Sequence, residues 1–394
     1  MPLEKLARFL FPRELKLIKT ESLKPYGIRF YLKKTPYPEF CPKCAQKSEK
    51  VHDYRTVKIK DEPIRGKAVE LVIKKRRLWC NSCDKAFTEP IEKISKGHRT
   101  TASYKRGMCW AAETFSDLKR VRKYFRCSYN LLYNCVYENY RSKLKERDYP
   151  LPDSMGVDEH SIRKLKYSPV DYATVLVDHS NRRVYDVIEG NTLSRLREEI
   201  QGLSGADQVK LVTIDFSNTY RSFIKESFPN AKIVIDRFHM HRLFTKRVNK
   251  LRMRVTGDDR KNPIRRLLLR NSRNLKPFER KAVLRWLNFH PDLREMYNFK
   301  ESVNRFYRIK GFKRAKKALT KILDKMGKSK VELVRSLRKV LVEWKDEIVN
   351  FFRFNGISNG RTEGFNRKAK LIQRRAYGYR NFANYRLALL HACK

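Results

Sequence analysis

The stretch "VKLVTIDFSNTYRSFIKESFPNAKIVID" (209–236) decides the fold. "VKLVTID" (209–215) is a run of the type that forms a buried strand, and it ends on Asp215. "SNTYRSFIKESF" (217–228) has helical spacing and opens on an N-cap candidate, and "AKIVID" (231–236) is a second strand ending on Asp236. Upstream, "MGVD" (155–158) is a short apolar strand ending on Asp158, after the Pro-containing linker "YPLPDS". "DYATVLVD" (171–178) and "VYDVIEG" (184–190) flank the turn "HSNRR" and make a hairpin, and "TLSRLREEIQGL" (192–203) reads as a helix.

The order strand, hairpin, helix, strand, helix, strand is that of an α/β, ribonuclease H-like core, whose missing last helix residues 358–375 could supply. Residues 240–355 are basic and helical in pattern, which predicts an all-α insertion. The expected plan has five parts. Residues 1–98 form a zinc-binding β module, with "YGIRFYL" (26–32) as a strand. Residues 99–150 hold a helix-turn-helix, and 151–239 the first part of the core. The insertion spans 240–355, and 356–394 return the last helix. No internal repeat or low-complexity tract is visible.

Charge dominates composition: 91 Lys+Arg against 42 Asp+Glu leave +49, spread along all 394 residues. Such a surplus repels itself in the compact state unless a polyanion neutralises it, so nucleic acid is the expected partner and salt should weaken its binding. An anionic membrane surface is the rival. No segment reaches the ~18 apolar residues of a spanning helix, and no secretory h-region is seen, so a cytoplasmic, nucleoid-associated chain is expected. Hydrophobic residues at 41% and aromatics at 12% support a sizeable core.

Cys41-Pro-Lys-Cys44 and Cys80-Asn-Ser-Cys83 are two C-x-x-C knuckles separated by β-like sequence. Four thiolates so spaced can close a tetrahedral structural Zn²⁺ site. A redox role needs a βαβ context that neither pair has. His52 follows a strand-like Val and could replace one Cys, though surface placement is the plainer reading. Cys109, Cys127, Cys135 and Cys393 lie singly in apolar patterns and read as core.

"SDLKRVRKYFRCSYNLLYNCVYENYRSKL" (116–144) offers helices over 118–125 and 128–140 around the turn "RCS", with Ser128 capping the second. As a helix-turn-helix, it would place that second helix in a major groove. Any helical hairpin shares the pattern, so the charge and the zinc module carry the reading.

Asp158, Asp215 and Asp236 each end a strand, where ligands bind in open α/β sheets. Acids placed so close repel unless divalent cations neutralise them, and paired Mg²⁺ ions serve in-line phosphoryl displacement. A single such Asp more simply caps a helix. Glu159 points to the opposite strand face from Asp158 and stays outside the set. Asp178 has a turn role, and His239 and His241 are read on one side of the next helix, His239 being a minor candidate near the site.

"CPKC…VHDYR…KDEPIRGKAVEL…KKRRLWCNSC…FTE", "GVDEH", "VTIDFSNTYRSFIKESFPNAKIVIDRFHMHRL" and "SNGRTEGFNRKAKLIQRRAYGYRNFANYRL" together resemble the ISL-three group of bacterial insertion-sequence transposases. The resemblance covers nearly the whole chain in order. It implies a zinc module, a helix-turn-helix and a ribonuclease H-like DDE domain with Asp158, Asp215 and Glu363 as the triad. The spacings are 215 − 158 = 57 and 363 − 215 = 148, with the insertion inside the second. Asp236 becomes an auxiliary or a rival for the second acid.

The resulting expectation is a transposase that binds double-stranded DNA at its element's terminal inverted repeats. It would cleave the ends with two Mg²⁺ ions, Mn²⁺ able to substitute, and join the 3′-OH to target DNA. Pairing two ends implies at least a homodimer. Arg361, Arg367, Lys368, Lys370, Arg374 and Arg375 would hold backbone phosphates, and Tyr377 and Tyr379 could stack on an unpaired base or pair with each other in the core. The rival reading is a non-catalytic DNA-binding repressor derived from a transposase.

Overall fold

The computed structural model describes residues 10–23, 27–94, 97, 99–115, 117–144, 149–162, 172–257, 262–354, 356–357, 359–379 and 381–393, the Arg361 side chain excepted. The chain divides into two compact units, Met1–Lys145 and Glu146–Lys394.

In the first unit, β1 (Leu15–Leu23) and β2 (Gly27–Lys34) form an antiparallel pair. Two small strands, β3 (Glu39–Phe40) and β4 (Lys47–Ser48), precede the long hairpin of β5 (Val51–Ile64) and β6 (Lys67–Cys80), and β7 (Lys85–Thr88) adds to β6. The sheet runs β1-β2-β6-β5, β2 and β6 being parallel. The hairpin closes on Arg65 and Gly66, with φ of 51° and 75°, as a two-residue type I′ turn requires. Central β6 buries Val69, Leu71 and Ile73 against Phe30, Leu32 and Ile59.

Three helices follow. In α1 (Ala102–Thr114), Thr101 caps the Tyr104 amide at 3.0 Å, and in α2 (Leu118–Phe125), Asp117 caps that of Arg120 at 2.8 Å. Arg126 turns left-handed, and α3 (Tyr129–Leu144) opens with its Leu131 amide donating to Ser128 Oγ at 3.2 Å. The two helices expected around "RCS" therefore form, the second running four residues further than its pattern suggested. Cys109 and Cys135 meet between α1 and α3, their sulfurs 3.7 Å apart.

The second unit holds β8 (Ser154–Ser161), β9 (Tyr172–Asp178), β10 (Arg183–Glu189), α4 (Leu193–Ile200), β11 (Leu211–Ile214), α5 (Asn218–Ser227) and β12 (Lys232–Ile235). The sheet order is β10-β9-β8-β11-β12; β8, β9 and β10 are antiparallel neighbours, whereas β8, β11 and β12 run parallel. Each parallel step needs a crossover, which α4 and α5 supply. Seven helices come next: α6 (Arg237–Thr256), α7 (Pro263–Leu269), α8 (Pro277–Asn288), α9 (Pro291–Phe306), α10 (Phe312–Gly327), α11 (Glu332–Glu343) and α12 (Lys345–Arg353). Their apolar faces join the sheet in one buried cluster, from Met155, Val212 and Ile235 to Phe244, Leu319 and Ile348. The helical stretch thus extends the sheet's core and has no core of its own. Finally, α13 (Gly360–Arg375) packs on β8, and α14 (Phe382–Ala392) on β10, where Arg386 clamps Asp186 with bonds of 2.6 and 2.7 Å.

Strand β8 runs past the expected "MGVD" through Glu159, His160 and Ser161. These residues look wrong for a buried strand by composition. Pairing with β9 and cover from α13 and α14 make the extension possible: His160 is buried with its ring against Tyr385.

Candidate active site

The parallel register sets the site. Thr213 on β11 pairs with Gly156 on β8, and Ile214 pairs with Ile235 on β12. Continuing the ladder, Asp215 falls level with Asp158 on one side and Asp236 on the other. Strands lie about 4.8 Å apart, so three acids stand in a row at one end of the sheet.

Their environments differ. Asp158 accepts from the Glu159 amide at 2.8 Å and from Asn366 Nδ2 on α13 at 2.9 Å. Burial pushes its carboxyl up to about 6, with the Asp215 and Asp236 charges adding to the rise and His239 opposing it. Burial also raises Asp215, His239 again opposing and Glu159 adding to the rise, and its Oδ1 is buried without a hydrogen-bond partner. Asp236, 3% exposed, accepts the Asn359 amide at 3.0 Å, and its other oxygen faces His239 Nδ1 at 3.9 Å. Clustered, buried acids with raised carboxyls and a bare oxygen are groups that could hold a hard cation.

One reading needs revision. His239 sits at the acids, whereas His241 lies near Lys300 and Glu301, because two residues along a helix is 200° of rotation. Glu159 does face away, bonded by Asn191 Nδ2 at 2.8 Å and Tyr220 Oη at 3.4 Å, yet its charge still reaches Asp215.

Glu363 lies in the first turn of α13, where its carboxylate accepts from Arg367 Nη2 at 2.8 Å. The α13 side chain that touches Asp158 is Asn366, three residues on and so on the same helix face. Among the described residues, no three acid or histidine ligand atoms here lie within 4.8 Å of one another. Further along α13, Lys368 bonds the Ala392 carbonyl, Lys370 lies near His160, and Arg374 and Arg375 fall in the last turn. Arg361 falls outside the described side chains. Tyr377 is 88% exposed, whereas Tyr379 packs on Tyr385 with ring centroids 5.4 Å apart. Asn359, Thr213 and Asn366 carried no chemical signature in sequence; only their contacts reveal them.

The first unit carries a second metal-type site. The sulfurs of Cys41, Cys44, Cys80 and Cys83 all lie within 4.8 Å of one another, with Cys41–Cys83 at 3.9 Å and Cys44–Cys80 at 3.5 Å. A tetrahedron with Zn–S of about 2.3 Å has edges of about 3.8 Å, so the quartet fits Zn²⁺. Each knuckle ends in a left-handed residue, Ala45 and Asp84, which curls its backbone round the sulfurs. Amides of Cys44 and Lys43 hold the Cys41 thiol down to about 6, as suits a thiolate ligand. His52 stacks beside Trp79 and is not among the four.

The chain thus combines an aspartate-ended α/β sheet with a four-cysteine ribbon, and sequence comparison gives the family. Residues 155–389 match the family model of ISL3-type DDE transposases, and 38–83 match the zinc finger of the IS204/IS1001/IS1096/IS1165 transposases. The chain belongs to the ISL3 family of DDE transposases. It is 25% identical over 365 residues to the transposase for insertion sequence element IS1001 of Bordetella parapertussis, covering 90% of this chain and 88% of that protein.

Proposed function

We propose that this transposase cuts the ends of its own insertion sequence by metal-dependent hydrolysis and joins the freed 3′-OH to target DNA. The observation that carries the reading is the parallel register of β8 and β11, which, continued two residues past its last pair Thr213–Gly156, brings Asp158 and Asp215 level, both with raised carboxyls, beneath the helix that bears Glu363. The strand order β10-β9-β8-β11-β12 supports a ribonuclease H-like core, and α2–α3 with their short turn support a helix-turn-helix for the terminal repeats.

Asp158, Asp215 and Glu363 would hold Mg²⁺, or Mn²⁺ in its place, with Asp236 and His239 beside them. Two bound ions supply an activated oxygen nucleophile and neutralise the charge that builds on phosphorus and the leaving oxygen. The chain's own groups do the rest. Buried strand ends fix the two aspartates rigidly, and Asn366 orients the Asp158 carboxylate. Arg367, Lys368, Lys370, Arg374 and Arg375, with Arg361, would hold phosphates along α13. Water attack on the end phosphodiester gives a 3′-OH and a 5′-phosphate. That 3′-OH then attacks a target phosphodiester, forming one P–O bond as another breaks. Neither step needs a covalent protein–DNA link. Two ends are held together by a homodimer in the cytoplasm, on nucleoid DNA.

The Glu363–Arg367 ion pair favours the second reading, a DNA-binding repressor without catalysis, since it occupies the third acid. Nicking of an end-containing duplex with Mg²⁺ separates the two. Single Asp158→Ala, Asp215→Ala and Glu363→Ala variants should each bind the duplex and fail to cut it. If all three cut like the parent, the enzyme reading falls.

A further inference from the structure

We propose that Asp236 is a positioning residue that seats the first turn of α13, the helix carrying Glu363, on the sheet face beside Asp158 and Asp215. This rests on the reading of that face as the active site.

Helix α13 arrives more than 120 residues after β12, and its docking onto the sheet rests on a small buried polar cluster. Asn359, its N-cap residue, makes no side-chain cap bond to the helix. Its backbone amide donates instead to Asp236 Oδ1 at 3.0 Å. Its side-chain oxygen accepts from Thr213 Oγ1 on β11 at 3.1 Å and from Thr362 Oγ1. Asp236, Asn359, Thr213 and Thr362 are all at most 3% exposed. Space for this turn exists because residue 156 is glycine: a Cβ there would stand 2.5 Å from Asn359 Oδ1 and 2.6 Å from Thr362 Oγ1. One turn later Asn366 ties the helix to Asp158.

The Asp236 carboxylate thus faces the positive end of α13 and accepts one of its otherwise unpaired amides, a charge-assisted bond in a dry setting. One Asp236 oxygen is engaged by Asn359 and the other lies 3.9 Å from His239 Nδ1, too far for a hydrogen bond, whereas Asp215 Oδ1 is buried with no hydrogen-bond partner. In the row of three, Asp215 keeps a bare oxygen, whereas one Asp236 oxygen is already used by the Asn359 amide. Sequence position alone could not separate them.

The test combines hydrogen exchange over residues 360–370 with nicking rates measured against Mg²⁺ concentration. Four variants are compared: Asp236→Ala, Asp236→Asn, Asn359→Pro and Asn359→Ala. Asparagine at 236 still offers an acceptor oxygen. Proline at 359 suits the observed φ of −77° and, unlike alanine, deletes the donor amide. Asp236→Ala and Asn359→Pro should raise exchange over 360–370 by about ten-fold or more. They should also slow nicking by about 100-fold at an unchanged half-saturating Mg²⁺. Asp236→Asn should restore both measures to within about ten-fold of the parent, and Asn359→Ala should stay nearer the parent than Asn359→Pro. The proposal is overturned if Asp236→Asn abolishes nicking or raises the half-saturating Mg²⁺ while 360–370 stays protected. It is equally overturned if the two Asn359 variants behave alike. If the parent itself never nicks, the enzyme reading fails and the exchange comparison alone decides the docking role.

Discussion

The cysteine quartet and the proposed acid site of this chain are assembled in opposite ways. The cysteine quartet comes from two tight knuckles, each supplying two ligands from four consecutive residues. Both are held by left-handed turns at Ala45 and Asp84. The acid site draws Asp158, Asp215 and Asp236 from three strands and its covering residues from a helix at 360–375. A locally built site depends mainly on its ion for cohesion. A site built over long range depends on the fold and stays open to change.

That contrast is sharpest for metal removal. Stripping Zn²⁺ with a chelator, or Cys80→Ser, should unfold the ribbon end of the first unit, a loss on the order of 10 kcal/mol. Release of four titratable thiols and a collapsed thermal transition for Met1–Lys145 would register it; a ribbon that keeps its transition would break the comparison. Stripping Mg²⁺ should leave the second unit folded. There the loss is catalytic: Asp215→Ala should slow nicking by about 10³-fold or more, roughly 4 kcal/mol, with the urea midpoint little changed.

The raised Asp158 carboxyl gives the next effect, with a definite sign. Its folded value of about 6 lies above the usual value of 3.8, so the folded state binds the extra proton between those values. Stability of the Mg²⁺-free protein should therefore fall as pH rises from about 4 to 7, by up to roughly 3 kcal/mol. Asp158→Asn should flatten that slope and stabilise the metal-free protein while abolishing cleavage. Urea melts at pH 4.5 and 7 suffice; Asp215, also raised by burial, keeps part of the slope, and a slope left unchanged by the substitution would show that Asp158 is not its source.

Smaller still, Gly156→Ala should push the first turn of α13 off β8, with a loss of about 1–3 kcal/mol and increased exchange at 360–370. Arg367→Ala removes an exposed i,i+4 pair and should move stability by less than ~0.5 kcal/mol. It should nonetheless weaken DNA binding at low salt, as one lost phosphate contact would.

Much of this was legible in residues. The strand-helix-strand at 209–236, the hairpin at 171–190 and the helices at 118–125 and 128–140 stand where periodicity put them, give or take a few terminal residues. Ser217 caps α5 as expected, the Tyr220 amide reaching its hydroxyl at 3.4 Å. The two C-x-x-C knuckles announced their own convergence. The polar "EHS" (159–161) gives the end of β8 no strand signature, and the burial of His160 there depends on partners remote in sequence. His241 faces Lys300 and Glu301 because residues two apart on a helix point in nearly opposite directions.

By itself, the sequence determined the basic charge, the alternation of elements, the zinc ribbon and the acids at strand ends, because each is written in neighbouring residues. Only the tertiary structure decided which acids share a level, which one is spent on docking a helix, and that Asn366 and Asn359 are the residues making contact. Those depend on parallel register and on a helix returning from far along the chain. Local periodicity carries no information about register between distant segments; that is set by packing, when Gly156 admits Asn359 and one buried core joins the sheet to its helices.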